Sequence, residues 1–338
     1  MMTISDDPRR VIENTLVPHT AFNRAIKSLD QCFEYAQGCS EPVCLALLGE
    51  SRTGKSRVLE ERYVKYQRHR TQEGMVIPIV RVKTPSKPTV KGLVEMMLHD
   101  MGDPRSSNGT ENRKTTRLLE LMRGASTRML MVDEFQHFYD KVSHKVMHHV
   151  ADWLKIVVDE ARVALVVSGI PTCRAVLDQN EQLAGRFLAP ISMPRFNWNN
   201  DDHREEFEAI LAAFHESMSR HFDLPELDNE GMAFRFYCGT GGLIGYVVKM
   251  LRQAVWDALD EGRKVITAAD LADAHQRSVW ATDGIASIRP FDLSASLESN
   301  ELSLSMAAQV GIKVEEPAPV RKAATRKKWK TGQVLSAQ

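Results

Sequence analysis

The chain has 338 residues, 43% of them hydrophobic and 26% charged, which is room for one large α/β module and a smaller helical one. No apolar run approaches the ~20 residues that a membrane helix needs, and the N-terminal residues lack the basic and then apolar pattern of a secretory signal. Lys and Arg together number 44, as do Asp and Glu, but the zero net charge does not exclude a polyanionic partner, because the stretch from Pro317 onward is basic and contains no acid.

Short apolar runs alternate with amphipathic stretches up to about Trp198, a pattern typical of an α/β domain. Phe22, Ile26, Leu29 and Phe33 are spaced to form one face of a helix, and the apolar run 43–48 ends at a glycine, as a buried parallel strand would. The predicted strands lie at 43–48, 76–82, 129–132, 163–167 and 191–193, and the predicted helices lie at 21–35, after Lys55, and at 90–101, 115–122 and 146–158.

From about Asn199 the periodicity is helical only, over 201–220 and 242–259, and Thr267-Ala268-Ala269-Asp270 opens a further helix with a capping-box pattern. Beyond Ala286 the sequence becomes Ser-rich and then basic, which predicts a tail without fixed structure until it is bound. The sequence therefore predicts an α/β fold with a parallel sheet and a C-terminal α-helical lid. The expected divisions are an N-terminal linker and helix (1–40), the core (41–198), the lid (199–285) and a flexible tail (286–338).

The first predicted strand is followed by Gly49-Glu50-Ser51-Arg52-Thr53-Gly54-Lys55-Ser56, a complete Walker A signature between a strand and a helix. Its glycines allow backbone N–H groups to converge on phosphate oxygens, and the next helix, with Arg57 in its first turn, adds its positive N-terminal end. We expect Lys55 to contact the β- and γ-phosphates of ATP and the Ser56 hydroxyl to bind Mg²⁺. The stretch from Gly49 to Arg57 is thus the predicted nucleotide-binding loop of a P-loop NTPase.

The third predicted strand delivers two carboxylates, Asp133 and Glu134, at its carboxyl end, as a Walker B motif does. Asp133 would hold Mg²⁺ through its water shell, and Glu134 would polarise the attacking water as a general base. An acidic pair at a strand end is in many proteins only a solvated turn. The phosphate-binding loop upstream favours the catalytic role here.

Two further segments resemble parts of AAA+ ATPases. Ser168 ends the fourth strand, where AAA+ enzymes carry a sensor of the water or the γ-phosphate, although a Ser at a strand end also commonly forms a turn. Gln182-Leu183-Ala184-Gly185-Arg186-Phe187 resembles the segment that carries the arginine finger. Arg186 is therefore expected to enter a neighbouring subunit's site, where such a guanidinium can raise the rate by ~10³-fold or more. Arg174 is the alternative finger, and an ordinary surface arginine is the structural alternative for either residue.

The sequence gives less support to a metal site or to a catalytic nucleophile. His137, His144, His148 and His149 cluster, but the His-Glu-x-x-His pattern of zinc proteases is missing, and a solvated helix face is favoured. No Gly-x-Ser-x-Gly elbow or Cys/His pairing is evident. The cysteines are odd in number and form no C-x-x-C pair, which predicts reduced thiols in a cytoplasm rather than disulfides or a zinc site. They are Cys32, Cys39, Cys44, Cys173 and Cys238.

Particular stretches of the chain resemble one family, the TniB/TnsC ATPases, which are AAA+ regulators of Tn7-like and related bacterial transposons. The resemblance extends to about Phe291. The Walker motifs are shared with many families, whereas the Thr-Pro stretch after the second strand, Asp-Glu-x-Gln-His and Ser-Gly-Ile-Pro-Thr are more particular. The matching stretches are Pro18-His19 with the Phe22 helix, 49–56, 84–89, 133–137, 168–172, 183–187 and 239–245.

This resemblance implies an ATPase that uses ATP and Mg²⁺ in the bacterial cytoplasm. ATP-bound protomers of the family assemble as rings or filaments around double-stranded DNA. The homo-oligomer links a target selector, such as a TniQ/TnsD-like protein or a CRISPR effector component, to the transposase, and hydrolysis disassembles it or sets target immunity. The ATPase itself does not cut DNA.

One segment departs from the usual AAA+ pattern. Many AAA+ lids carry an arginine where this chain has Gly242-Leu243-Ile244-Gly245, and the nearest basic residues are Lys249 and Arg252. Slow hydrolysis, dependent on oligomerisation, is therefore expected.

The family resemblance also points to two loops that would face a central pore and contact DNA phosphates without reading bases. Ordinary solvated basic loops are the structural alternative. The expected DNA-binding residues are Lys83, Lys87, Lys91, Arg113, Lys114 and Thr115. The C-terminal basic cluster with Trp329 could contact DNA or a transposase.

Other classes of ATPase remain open on the sequence. A replication initiator or helicase loader would be favoured by a winged-helix domain after the lid, and a STAND-type signalling NTPase would be favoured by a sensor or repeat domain. A small-molecule kinase would need no arginine from a neighbouring subunit.

Overall fold

The structure, a computed structural model, describes residues 7–36, 41–140, 142–279 and 289–312. The strands within them are β1 (Leu45–Leu48), β2 (His69–Arg70), β3 (Met75–Val76), β4 (Ile79–Lys83), β5 (Met129–Asp133), β6 (Ala164–Gly169) and β7 (Ile191–Ser192). The helices up to β7 are α1 (Val11–Asn14), α2 (Thr20–Tyr35), α3 (Lys55–Lys65), α4 (Val90–Asp100), α5 (Glu111–Gly124), α6 (His137–Asp140), α7 (His144–Ala161), α8 (Cys173–Leu177) and α9 (Glu181–Ala184). The later helices are α10 (Asp201–Ser219), α11 (Glu230–Thr240), α12 (Ile244–Asp260), α13 (Ala268–Ser278) and α14 (Glu301–Ala308).

Five parallel strands form the central sheet in the order β4-β5-β6-β1-β7. The α/β fold predicted from the sequence is confirmed, including the short fifth strand, where Ile191 lies opposite Leu47. Apolar side chains alternate between the two faces of the sheet: Leu165 and Val167 pack under α4, α5 and α7, whereas Ala164 and Val166 pack under α2 and α3. The sheet is thus buried on both faces, and all of its strands end at one edge.

The second strand differs from the prediction of one continuous run at 76–82. Met75 and Val76 pair antiparallel with β2 in a separate two-stranded hairpin, and only β4 joins the central sheet. Pro78 lies between the two strands and has no N–H for a ladder, although its carbonyl accepts from the N–H groups of Arg128 and Met129. The proline therefore separates the hairpin from the sheet.

The lid is a helical bundle with its own apolar core, in which Phe207, Phe236, Met250 and Leu271 are fully buried. Its helix α11, capped by the side chain of Asn229, is an element that the periodicity did not single out. Within the described residues, no helix combines the length and apolar character needed to cross a membrane.

The prediction of a flexible segment beyond Ala286 is wrong for residues 289–312. Phe291 is buried against α11, and the Arg235 guanidinium donates to the carbonyls of Pro290, Asp292 and Ala295. The helix α14 begins with an Asn300 capping box and packs on α11. This part of the chain therefore belongs to the lid, while the basic cluster after Pro317 and Cys39 lie outside the described residues.

Candidate nucleotide site

The predicted phosphate loop joins β1 to α3 at the edge where the parallel strands end. Gly54 has a φ of 95°, a left-handed conformation that glycine adopts at little cost, and α3 begins directly after it without a side-chain cap. The Gly49 N–H donates to the Gly169 carbonyl at 3.1 Å, which fixes the beginning of the loop to the end of β6. The uncapped helix N-terminus therefore faces a loop of the right shape for an anion.

Lys55 is buried under this loop. Its Nζ donates to the Gly49 carbonyl at 2.8 Å and to the Glu50 carbonyl at 2.5 Å. Burial lowers the pKa of the Lys55 ammonium, and the nearby carboxylates of Asp133 and Glu134 oppose that shift. The Lys55 ammonium is thus held inside the loop, where phosphate oxygens would contact it.

Ser56 and Asp133 meet as the Walker motifs predict. The Ser56 hydroxyl donates to Asp133 Oδ2 at 2.8 Å, and Asp133 Oδ1 accepts from the Glu134 N–H at 2.9 Å. A hydroxyl and a carboxylate are the hard oxygen ligands that Mg²⁺ prefers. The residues present therefore fit a magnesium-bound triphosphate.

Glu134 follows β5 with a φ of 56°, which is uncommon for a residue with a side chain. One carboxylate oxygen accepts from Gln136 Nε2 at 2.5 Å, and the other lies 3.9 Å from Lys83 Nζ. A cavity of about 450 Å³ lies in front of these groups. Its lining residues are Ser51, Arg52, Gly54, Lys55, Ser56, Arg57, Glu134, Gln136, Gly169, Ile170 and Gly245.

Ser168 lies in β6, one position beyond the pairing of Val132 with Val167, so it is beside Asp133 at the end of β5. Its side chain is fully buried, and its Oγ has no hydrogen-bond partner within the described residues. A buried hydroxyl without a hydrogen-bond partner costs free energy. The Ser168 hydroxyl therefore fits a role in hydrogen bonding to a ligand or a water.

The two arginine candidates differ in exposure. Arg186 is 13% exposed, with its guanidinium 2.7 Å from Asp159 and 3.7 Å from Glu41 of the same chain. The intrachain ion pair with Asp159 holds the Arg186 guanidinium in the isolated protomer, so its predicted role as a finger would require that pair to open. Arg174 is 73% exposed, and its guanidinium lies 3.6 Å from the Asp178 carboxylate.

The lid reaches the phosphate loop without an arginine from the Gly242–Gly245 turn. The Gly245 N–H donates to the Arg52 carbonyl at 2.8 Å, and the Arg52 guanidinium lies 4.4 Å from the centre of the Tyr246 ring. Arg252 is instead paired with Glu13 of the N-terminal segment at 3.3 Å. These lid contacts have no signal in the sequence, because a backbone N–H and an aromatic face leave no motif.

The predicted DNA-binding residues fall into two groups. Lys83, Lys87, Lys91 and Arg113 are exposed. The prediction of a DNA contact is wrong for Lys114 and Thr115. Lys114 is fully buried and bonded to Glu95 and, at 2.7 Å, to the Ser107 carbonyl. The Thr115 hydroxyl accepts from the Trp153 indole at 3.0 Å. Both side chains therefore stabilise the packing of α5 instead of facing solvent.

A parallel sheet in this order, a phosphate loop after β1, an acidic pair after β5 and a helical lid define a P-loop NTPase of the AAA+ class. The chain belongs to the family described as bacterial TniB protein, whose model matches residues 9–198. No curated protein matches the chain.

Several solved structures have a similar fold. The Cdc6p of Pyrobaculum aerophilum is 16% identical, with a TM-score of 0.60 over 82% of this chain and 73% of that one. The ORC2 protein of Aeropyrum pernix is 14% identical, with a TM-score of 0.57 over 81% and 73%. The ORC1 protein of Aeropyrum pernix, solved in complex with DNA, is 14% identical, with a TM-score of 0.53 over 80% and 69%. At these identities the likeness is one of fold.

Proposed function

We propose that this chain is an ATP-hydrolysing, DNA-binding regulator of transposition. The observation that carries the ATPase part is the contact of Ser56 with Asp133 at 2.8 Å beside the buried Lys55, with Glu134 at the same strand end. Bound Mg-ATP supplies the phosphoanhydride bond that is broken. Lys55 would bind phosphate, Ser56 and Asp133 would hold the metal, and Glu134 would take the proton of the attacking water.

Membership of the TniB family supports the part in transposition. We infer that ATP-bound protomers assemble on double-stranded target DNA and couple a target selector, such as a TniQ/TnsD-like protein or a CRISPR effector component, to the transposase. The exposed side chains of Lys83, Lys87, Lys91 and Arg113 supply charge for phosphate contacts. The bond between Lys114 and Glu95 joins the first turn of α5 to the second turn of α4. The four exposed basic side chains therefore lie around the starts of two neighbouring helices.

A neighbouring protomer completes the ATP site in this proposal, and Arg174 is the residue that it supplies. Arg174 follows directly on the loop after β6, and its guanidinium is free to leave an exposed i,i+4 pair that contributes little. Placed against a transferring phosphoryl group, the same guanidinium would neutralise developing charge.

A replication-initiator or helicase-loader role is the second candidate, because Cdc6 and Orc proteins share the fold and the ORC1 protein was solved with DNA. That likeness has 14–16% identity, whereas the family match spans more than half of the chain. The family match therefore favours transposition.

Electron microscopy of the purified protein with duplex DNA and a slowly hydrolysed ATP analogue tests the proposal. We expect rings or filaments that need both ligands, no assembly for Lys55→Ala, and assemblies that persist with ATP for Glu134→Gln. Nucleotide-bound monomers, with or without DNA, would contradict it, and normal ATP turnover by Glu134→Gln would remove Glu134 as the base.

A further inference from the structure

Gln136 is a buried amide that lines the nucleotide cavity and to which the functional proposal above assigns no role. It lies two residues beyond Glu134, in the segment between β5 and α6. The residues on either side of it are fixed: the Phe135 N–H donates to the Ser168 carbonyl at 2.9 Å, and the His137 ring lies 3.1 Å from the Thr84 carbonyl. The position of the Gln136 backbone is therefore determined by the sheet.

The amide group of Gln136 has partners at both ends. Its Nε2 donates to Glu134 Oε2 at 2.5 Å, and its Oε1 lies 3.9 Å from Cys173 Sγ. Burial raises the pKa of the Cys173 thiol to about 12, so the sulfur keeps its proton and can donate weakly to the amide oxygen. This arrangement directs the NH₂ end of the amide toward Glu134.

Gly169 provides the space for this amide. A Cβ at Gly169 would lie 2.3 Å from Gln136 Oε1 and 2.4 Å from Cys173 Sγ, so the end of β6 admits the amide only because the residue there is a glycine. The close approach places the end of β6 against the amide, which in turn contacts the Glu134 carboxylate.

Glu134 needs such a partner, because its own backbone does not fix the carboxylate. The residue is in the left-handed region, which disfavours a long side chain, and 35% of its side chain is exposed. The Lys83 ammonium on its other oxygen is 68% exposed and 3.9 Å away, too far for a hydrogen bond. Of these two neighbours, only Gln136 restricts the carboxylate.

We propose that Gln136 is a positioning residue for hydrolysis, which holds one oxygen of Glu134 and so directs the other oxygen toward the attacking water. The inference rests on the proposed ATPase function. Loss of the Gln136 amide should therefore lower kcat and leave nucleotide affinity unchanged, because Lys55 and the loop N–H groups bind the phosphates. A misplaced base slows the chemical step even when all of the binding groups are intact.

Two substitutions of similar size test the proposal, with kcat, KM, the dissociation constant of a fluorescent ATP analogue and the melting temperature measured for each. Gln136→Met keeps the volume and removes the donor, and Gln136→Glu keeps the shape but replaces the NH₂ with an acceptor. We expect kcat to fall by about 10- to 100-fold in both variants with analogue affinity unchanged, and the melting temperature to stay at the wild-type value in Gln136→Met. Gln179→Met is the matched control, because Gln179 is half-buried and its amide donates to the Ala175 carbonyl, away from the nucleotide cavity.

Wild-type kcat in Gln136→Met would overturn the inference, as would a parallel loss of kcat, affinity and melting temperature, which would mark Gln136 as a purely structural residue. A wild-type protein without magnesium-dependent ATP hydrolysis would contradict the proposed function itself. These outcomes are distinct, because the wild type and the variants are measured in the same assay.

Discussion

Two lysines that look alike in the sequence, Lys91 and Lys114, have different roles because one is exposed and the other is buried. Lys91 lies at the solvent-facing start of α4, whereas the Lys114 ammonium bonds to the Glu95 carboxylate beneath the surface. A buried ammonium whose partner is removed destabilises the fold, and an exposed one can meet a phosphate.

We expect Lys114→Met to lower the free energy of unfolding by about 2 kcal/mol, because it leaves Glu95 unpaired and the Ser107 carbonyl without its donor. Affinity of the folded protein for duplex DNA should not change.

Lys91→Ala is the matched variant: it should keep the wild-type melting temperature, weaken DNA binding and reduce the slope of log affinity against log salt by about 1. Thermal melts and salt titrations of DNA binding measure both. A Lys114 variant that melts normally but binds DNA poorly would restore the original prediction for this residue.

The roles of residues at the ATP site can be predicted from the sequence where a motif fixes their spacing. Lys55, Ser56 and Asp133 belong to motifs whose chemistry requires fixed positions, and the contact between Ser56 and Asp133 matches them. The burial of Arg186 against Asp159 depends on residues far apart in the chain that only the fold brings together. No local pattern encodes such pairs, so the sequence predicted an exposed arginine there.

At the scale of elements, the strands of the central sheet were predictable because a strand buried on both faces is a continuous apolar run. The helix α14 was not, because its sequence, Glu-Leu-Ser-Leu-Ser-Met-Ala-Ala, has no helical period and is stabilised by an Asn300 cap and by packing on α11. Tertiary contacts of this kind override a weak local pattern.

Arg195 connects three elements through one guanidinium. It forms an ion pair with Glu50 of the phosphate loop and donates to the carbonyls of Gly241 at 3.4 Å, Ala308 at 3.0 Å and Val310 at 3.3 Å. The phosphate loop, the turn before α12 and the end of α14 are therefore held together at this point.

We expect Arg195→Ala to lower stability by ~2–3 kcal/mol, since it removes charged hydrogen bonds to three carbonyls, and to speed amide hydrogen exchange in 300–312. Glu50→Gln should have a smaller effect, because it removes only a half-exposed ion pair and leaves the carbonyl contacts intact. Arg204→Ala, which removes an exposed pair with Asp201 at the start of α10, is the control and should match the wild type. Equal exchange in 300–312 for Arg195→Ala and the wild type would show that α14 docks without this contact.

At the scale of the whole molecule, the proposed assembly has head-to-tail interfaces, in which each site faces one neighbour. In this proposal a protomer alone carries the phosphate loop, the metal ligands and the base. The charge that stabilises the transferring phosphoryl group would come from the next protomer, so hydrolysis would depend on assembly.

Mixing two inactive variants tests whether the base and the arginine of one site come from different protomers. Arg174→Ala keeps its own Glu134 but offers no finger, and Glu134→Gln offers a finger but has no base, so each alone should be nearly inactive. In an equal mixture assembled on DNA, a productive interface pairs the site of the first with the arginine of the second, and we expect about a quarter of the wild-type ATPase rate. Arg186→Ala should instead lower the melting temperature, because it removes the 2.7 Å ion pair between a largely buried guanidinium and the half-buried Asp159. If Arg186→Ala is the variant that regains activity in the mixture while Arg174→Ala is not, Arg186 is the finger and the ion pair with Asp159 must open on assembly.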